Sequence, residues 1–172
     1  TVSLTSTPKV HIRDLVVTPD LDENYKNGSL AIQVDVRNLQ KENINNYKVI
    51  YSLYANKLYS DDNHLVNGVS AQVQLGHIQS NSSADVSTTM NVQLPQLWSA
   101  ERPYRYTLVA ELKDDKNKTV EIISSIVGFR KVELKNTLAK DDEFGLAGRY
   151  FYINGKTVKL KGVNRHETNP ST

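Results

Sequence analysis

The chain has 172 residues, with 21 Lys and Arg against 19 Asp and Glu for a formal charge of +2; that length suits one ordinary domain, or one domain and part of another. With no basic block and no basic stripe interleaved with aromatics, nucleic acid has no electrostatic footprint here. No apolar run nears the roughly 20 residues of a membrane span, TVSLTSTPKV lacks the charged and apolar regions of a signal peptide, so a soluble chain is expected, and zero cysteines exclude disulfides and thiolate metal sites while leaving bacterial cytoplasm and periplasm equally open.

Along the chain, period-two alternation recurs about seven times, the pattern of half-buried strands. KVHIRDLVV opens the series, followed by the turn cluster DENYKNGS. LAIQVDVRN is the cleanest strand, with Leu30, Ile32, Val34 and Val36 on one face and Ala31, Gln33, Asp35 and Arg37 on the other. YKVIYSLYA and VSAQVQL come next and alternate less regularly. ADVSTTMNVQL places Ala84, Val86, Thr88, Met90, Val92 and Leu94 on one face, and YRYTLVAEL does the same with Tyr104, Tyr106, Leu108, Ala110 and Leu112. After KDDKNK, TVEIISSIVGF ends the series. No amphipathic helix stands out.

Strands of this length, each with one apolar face, predict two antiparallel sheets packed face to face, an immunoglobulin-like β-sandwich over residues 1–130. Between the fifth and sixth strands, LPQLWSAERPYRYTL sets Trp98 and Pro103 before the inward-facing Tyr104 and Tyr106. A tyrosine at the start of strand F often hydrogen-bonds back across that corner. Trp98 is expected to cover one end of the core rather than to bind sugar.

After Arg130 the texture changes. KVELKN predicts a short strand, TLAKDDEFGLAG a polar excursion, and YFYINGKTVKLKGV a hairpin turning at Asn154-Gly155, a pair suited to the positive φ of a type I′ turn. Tyr150, Phe151, Tyr152, Ile153, Val158 and Leu160 are a large apolar load for an appendage, since each large side chain contributes about 1.5–3 kcal/mol when fully buried. Residues 131–172 therefore read as the start of a second domain whose core lies beyond them.

The phrases LWSAERPYRYTLVAEL, VGFRKVEL and FYINGKTVKLKGVNRHE, in this order, resemble glycoside hydrolase family 2, most closely its β-galactosidases. The opening PKVHIRDLVVTPDLDENYKNGSL is similar to the start of the same sandwich, so the resemblance spans nearly the whole chain. It implies that residues 131–172 supply the entry hairpin and first strand of a truncated TIM barrel. It also implies a retaining β-galactosidase as the parent, which hydrolyses terminal β-galactosides with two glutamates that both lie downstream of NRHE. On that basis the chain by itself is expected to be non-catalytic, its sandwich a structural spacer. His166 is the position implied to hydrogen-bond a sugar hydroxyl, with Asn164 and Arg165 orienting it and bracing the strand end. Arg165 favours the galactosidase branch, because glucuronidases of the family more often have Lys there. Mg and Na assist many of these galactosidases, with ligands expected outside this stretch. Family members commonly self-associate, so a homo-oligomer is an expectation for the parent.

Other signals carry less. NGKT lacks the glycine of a phosphate loop, because Tyr150 stands where it is required. His11, His64 and His77 lack ligand spacing, and Asp141, Asp142, Glu143 and Glu167 are expected to be solvated acids rather than catalytic ones. The alternative is a stand-alone sandwich module for carbohydrate binding or adhesion, since fold alone does not choose. A finished module, however, is not expected to close on an apolar hairpin.

Overall fold

A computed structural model describes residues 2, 4, 6–142, 145–158 and 162. They fall into two units, Thr1–Arg130 and Lys131–Thr172.

The first unit contains β1 (Val10–Leu21), β2 (Gly28–Asn38), β3 (Lys48–Asn56), β4 (Asn63–Gln74), β5 (Ser82–Val92), β6 (Tyr106–Lys113) and β7 (Thr119–Val127). One antiparallel sheet has the order β1-β2-β5 and the other β4-β3-β6-β7. This is the immunoglobulin-like sandwich, with the fourth strand hydrogen-bonded beside the third. Alternation explains the interior: Leu30, Ile32, Val34 and Val36 of β2 face Val49, Tyr51 and Leu53 of β3 and Leu108, Ala110 and Leu112 of β6, all fully buried. Burial pushes the Tyr51 phenol up to about 12, so it stays protonated in the core.

Three details depart from simple alternation. Leu94, expected on the inner face, lies past the end of β5 with φ of 45° and is 72% exposed. β1 bulges between Ile12 and Asp14, and the extra residue, Arg13, places its Nε 2.7 Å from Oδ2 of Asp35. Asp35 points away from the apolar core as expected but is nonetheless buried. Asn38 is also fully buried and is satisfied from both ends of its amide: its Nδ2 donates to the carbonyl of Glu42 and its Oδ1 accepts the Gln40 N–H, both at 2.9 Å.

One end of the sandwich closes on a tight corner. The Gln96 N–H donates to the Tyr106 hydroxyl at 2.8 Å, the cross-corner bond anticipated from the sequence. The Tyr106 ring stands edge-on to Phe129 at 5.2 Å, and Phe129 is fully buried. A Cβ on Gly28 would lie 2.5 Å from Cδ1 of that ring, so the first residue of β2 must lack a side chain for Phe129 to seat.

The second unit is a three-stranded antiparallel sheet of order β8-β9-β10, with β8 at Val132–Thr137, β9 at Gly148–Ile153 and β10 at Lys156–Val158. A 3-10 turn at Ala139–Asp141 lies between β8 and β9, and the described residues contain no α-helix. Asn154 (φ 52°) and Gly155 (φ 75°) make the expected two-residue turn between Ile153 and Lys156. Asn154 also ties the turn to β8: its N–H donates to the Lys131 carbonyl at 2.9 Å, and its Oδ1 accepts the Lys131 N–H at 3.0 Å. Register puts Val132, Leu134, Phe151, Ile153 and Val158 on one face. The opposite face is polar and aromatic, with Lys135 3.0 Å from Glu133 and the Thr137 hydroxyl bonded to that of Tyr152. Among the described residues of this unit no apolar side chain is buried, and Val132, Leu134 and Phe151 are exposed.

Two substitutions test these closures. Gly28→Ala is expected to destabilise the sandwich by about 1–3 kcal/mol through overpacking against Phe129; a loss below about 0.5 kcal/mol in chemical denaturation contradicts the corner as described. Asn154→Ala replaces a residue that tolerates positive φ with one that adopts it at a cost of about 1–2 kcal/mol, and removes the side-chain bond to the Lys131 N–H. Amides of β9 and β10 are then expected to exchange about tenfold faster with solvent, and unchanged rates contradict the clamp.

Candidate functional site

Asn164, Arg165 and His166, the residues singled out as sugar contacts and supports, lie outside the described residues, as does Glu167. What the structure shows is the hairpin that leads to them, held by its turn and by the Lys131–Asn154 pair.

The acids of the polar excursion divide similarly. Asp142 builds a turn, its Oδ2 accepting the Leu146 N–H at 3.0 Å and its carbonyl accepting the Gly145 N–H at 3.0 Å. Glu143 lies outside the described residues. In the first unit, backbone and side-chain hydrogen bonds hold carboxylates below their ordinary range for structural reasons. Asp22 is lowered chiefly by the Lys26 N–H in a turn, and Glu111 by the Lys113 ammonium and the Thr119 hydroxyl. His11 faces the Pro8 carbonyl at 2.9 Å and His77 the Asn45 amide oxygen at 2.8 Å, each in a separate loop or strand end. Among the described residues no group of three or more His, Asp or Glu side chains could hold a metal ion.

One arrangement went unseen in the sequence. The Trp98 N–H donates to the Phe129 carbonyl at 2.9 Å, and Leu97 bridges Phe129 in parallel. This pairing brings Arg130 beside Trp98, with the guanidinium carbon 4.4 Å from the ring centroid, a cation–π geometry. Trp98, Arg105, Ser125 and Arg130 line a cleft of about 270 Å³, together with the apolar Val17, Ile126 and Val127. Its lining holds two guanidinium groups and no carboxylate. The residues come from three separate stretches of chain joined only by long-range pairing, so no local pattern marks them. Trp98 thus lies over Gly128 with the Arg130 guanidinium on its ring, while Leu97 and Tyr104 of the same connection pack against the core.

Comparison with known proteins gives a consistent result. The profile of Glycosyl hydrolases family 2 matches residues 10–130. The β-galactosidase of Priestia megaterium is 35% identical over 166 residues, which is 96% of this chain and 14% of that protein. The β-galactosidase of Pseudoalteromonas haloplanktis is 31% identical over 98% of this chain and 14% of its own length. The chain therefore spans about one-seventh of these relatives. Among solved structures, a Bacteroides uniformis β-glucuronidase superposes with a TM-score of 0.71 at 18% identity, over 93% of this chain and 18% of that one. A β-glucuronidase of Parabacteroides merdae gives 0.64 at 24% identity, over 92% and 17%. At these identities the solved structures attest the fold alone.

Proposed function

This chain belongs to glycosyl hydrolase family 2, and from that membership we propose that it is part of a retaining β-galactosidase hydrolysing terminal β-galactosides. The observation that carries this reading is that likeness to proteins named β-galactosidase runs through both units rather than stopping at the sandwich. Arg165 adds support, because it stands where the glucuronidases of the family more often carry lysine.

In such an enzyme two carboxyl groups lie about 5–5.5 Å apart. One attacks the anomeric carbon while the other protonates the departing oxygen; the second then deprotonates a water that releases the sugar with its configuration retained. Both groups are assigned to residues beyond this chain. The second unit supplies the entry hairpin and first strand of the barrel, and the carboxyl ends of barrel strands are where active sites assemble. At that strand end His166 hydrogen-bonds a sugar hydroxyl, with Asn164 and Arg165 fixing its orientation. We assign no Mg or Na ligand to this chain.

The sandwich serves as a spacer, and the chain alone is non-catalytic. A stand-alone binding module would account for the first unit but leaves the apolar face of the second, which no described residue of that unit covers, without a purpose.

In the full-length protein, a nitrophenyl β-galactoside is expected to be hydrolysed with retention of anomeric configuration. His166→Ala should lower kcat/KM about 10- to 100-fold, equivalent to about 1.4–2.7 kcal/mol of transition-state binding. Residues 1–172 alone should show no turnover. An inverted product, an unaffected His166→Ala enzyme, or activity of the isolated chain that survives repurification contradicts this assignment.

A further inference from the structure

Asparagine followed by glycine is the dipeptide most prone to lose its side-chain amide, because a glycine nitrogen reaches the asparagine Cγ with no Cβ in the way. The chain has three, at Asn27-Gly28, Asn67-Gly68 and Asn154-Gly155. The fold treats them very differently.

Two are held in place. The Asn27 Nδ2 donates to Oδ2 of Asp22 at 2.9 Å, and Gly28 is registered between Leu21 of β1 and Val92 of β5 with the Phe129 ring against it. Asn154 accepts the Lys131 N–H on its Oδ1 at 3.0 Å and donates its own N–H to the Lys131 carbonyl at 2.9 Å. At both sites a side-chain hydrogen bond must break and the backbone must leave its pairing before Cγ can approach the next nitrogen.

Asn67 is the exception. It lies in β4, an edge strand of its sheet. There Leu65 pairs with Tyr54 and Ser70 with Ser52, so that Val66, Asn67, Gly68 and Val69 stand opposite Leu53 alone. Val66 and Val69 pack against the core, and the two residues between them bow outward as the extra residues of a bulge do. Asn67 and Gly68 are both exposed. Gly68 has φ of 76°, and a Cβ built on it would meet no atom within 4 Å. Among the described residues Asn67 makes no side-chain hydrogen bond.

We propose that Asn67 is a site of spontaneous covalent modification, converting to aspartate and isoaspartate in the folded protein while Asn27 and Asn154 keep their amides. In the first step the Gly68 nitrogen attacks Cγ of Asn67. The new C–N bond closes a succinimide ring, the Cγ–Nδ2 bond breaks, and the proton given up by the Gly68 nitrogen balances the one taken up by the departing ammonia. Water then opens the ring. Cleavage between Cγ and the nitrogen leaves aspartate, and cleavage at the main-chain carbonyl leaves isoaspartate, with the backbone running through the side chain. Either product carries a carboxylate where the amide stood. Asn67 lines a cleft of about 430 Å³ with His64, Leu94, Gln96 and Tyr104, and no carboxylate lines it, so the modification brings the first negative charge there. The bulge accommodates the extra backbone carbon of isoaspartate, since no register with β3 is lost. The inference does not depend on the substrate assignment.

The full-length protein is incubated at mildly alkaline pH, native and in guanidinium chloride, and the three sites are followed by peptide mass spectrometry. In the native protein Asn67 is expected to convert at least about tenfold faster than Asn27 or Asn154, since protection follows the free energy of local opening. In denaturant the three rates should converge, because only the shared dipeptide remains. Peptides carrying residue 67 should accept a methyl group from an isoaspartate methyltransferase, and Asn67→Gln should abolish that signal. An Asn67 that converts no faster than Asn27 or Asn154 in the native protein overturns the proposal. So does a preference for Asn67 that persists in denaturant, because the fold is then not its cause. Aspartate at residue 67 without isoaspartate also overturns it, because the amide is then hydrolysed directly rather than through the ring.

Discussion

Phe129 can seal the end of the sandwich only because residue 28 has no side chain, and much of the first unit depends on that contact. The ring fills the space above Gly28 at the start of β2, meets Tyr106 edge-on at the start of β6, and so ties the two sheets together. Its carbonyl receives the Trp98 N–H, which fixes the long connection before β6 against the end of β7. Arg130, the next residue, is then carried over the Trp98 ring. One steric requirement thus sets the closure of the core, the course of the longest connection and the chemistry of the cleft beside it.

Most of the fold was legible because a sandwich strand must put alternate residues into a shared interior. Leu30 to Val36 and Tyr106 to Leu112 announce their buried faces without ambiguity. Legibility failed where the period slips. In β4 the inward residues are Val66, then Val69, Ala71 and Val73, a shift of phase at Asn67-Gly68, where Gly68 has φ of 76° and the pairing with β3 is irregular between Ser52 and Tyr54. The first half of that strand therefore looked like loop. Leu94 failed for the opposite reason: it continues the alternation on paper, but the backbone turns at it. Asp35 kept its predicted direction, yet a bulge one strand away swung Arg13 onto it, which no local pattern encodes.

Function was legible by a different route. Composition excluded partners but named none, and the Trp98 cleft depends on pairings between residues more than 30 apart, invisible to any local pattern. The ordered phrases ending in NRHE were what pointed to a glycosidase, while the residues they single out lie at the margin of the chain. The two units carry complementary messages. The first has a full apolar interior and is self-sufficient in packing. The second offers an apolar sheet face, with Val132, Leu134 and Phe151 exposed, that nothing among its described residues covers.

The central claim is therefore that this chain is the sandwich and barrel entrance of a retaining galactosidase, with His166 at the substrate. The most direct test is a crystal structure of the full-length protein bound to an unreactive β-galactoside analogue. The account predicts the His166 imidazole within hydrogen-bond distance of a sugar hydroxyl and two glutamates from beyond residue 172 flanking the anomeric carbon about 5–5.5 Å apart. A sugar bound elsewhere with His166 pointing away from it, or a carboxylate pair spaced about 6.5–9.5 Å as inverting enzymes require, would contradict it.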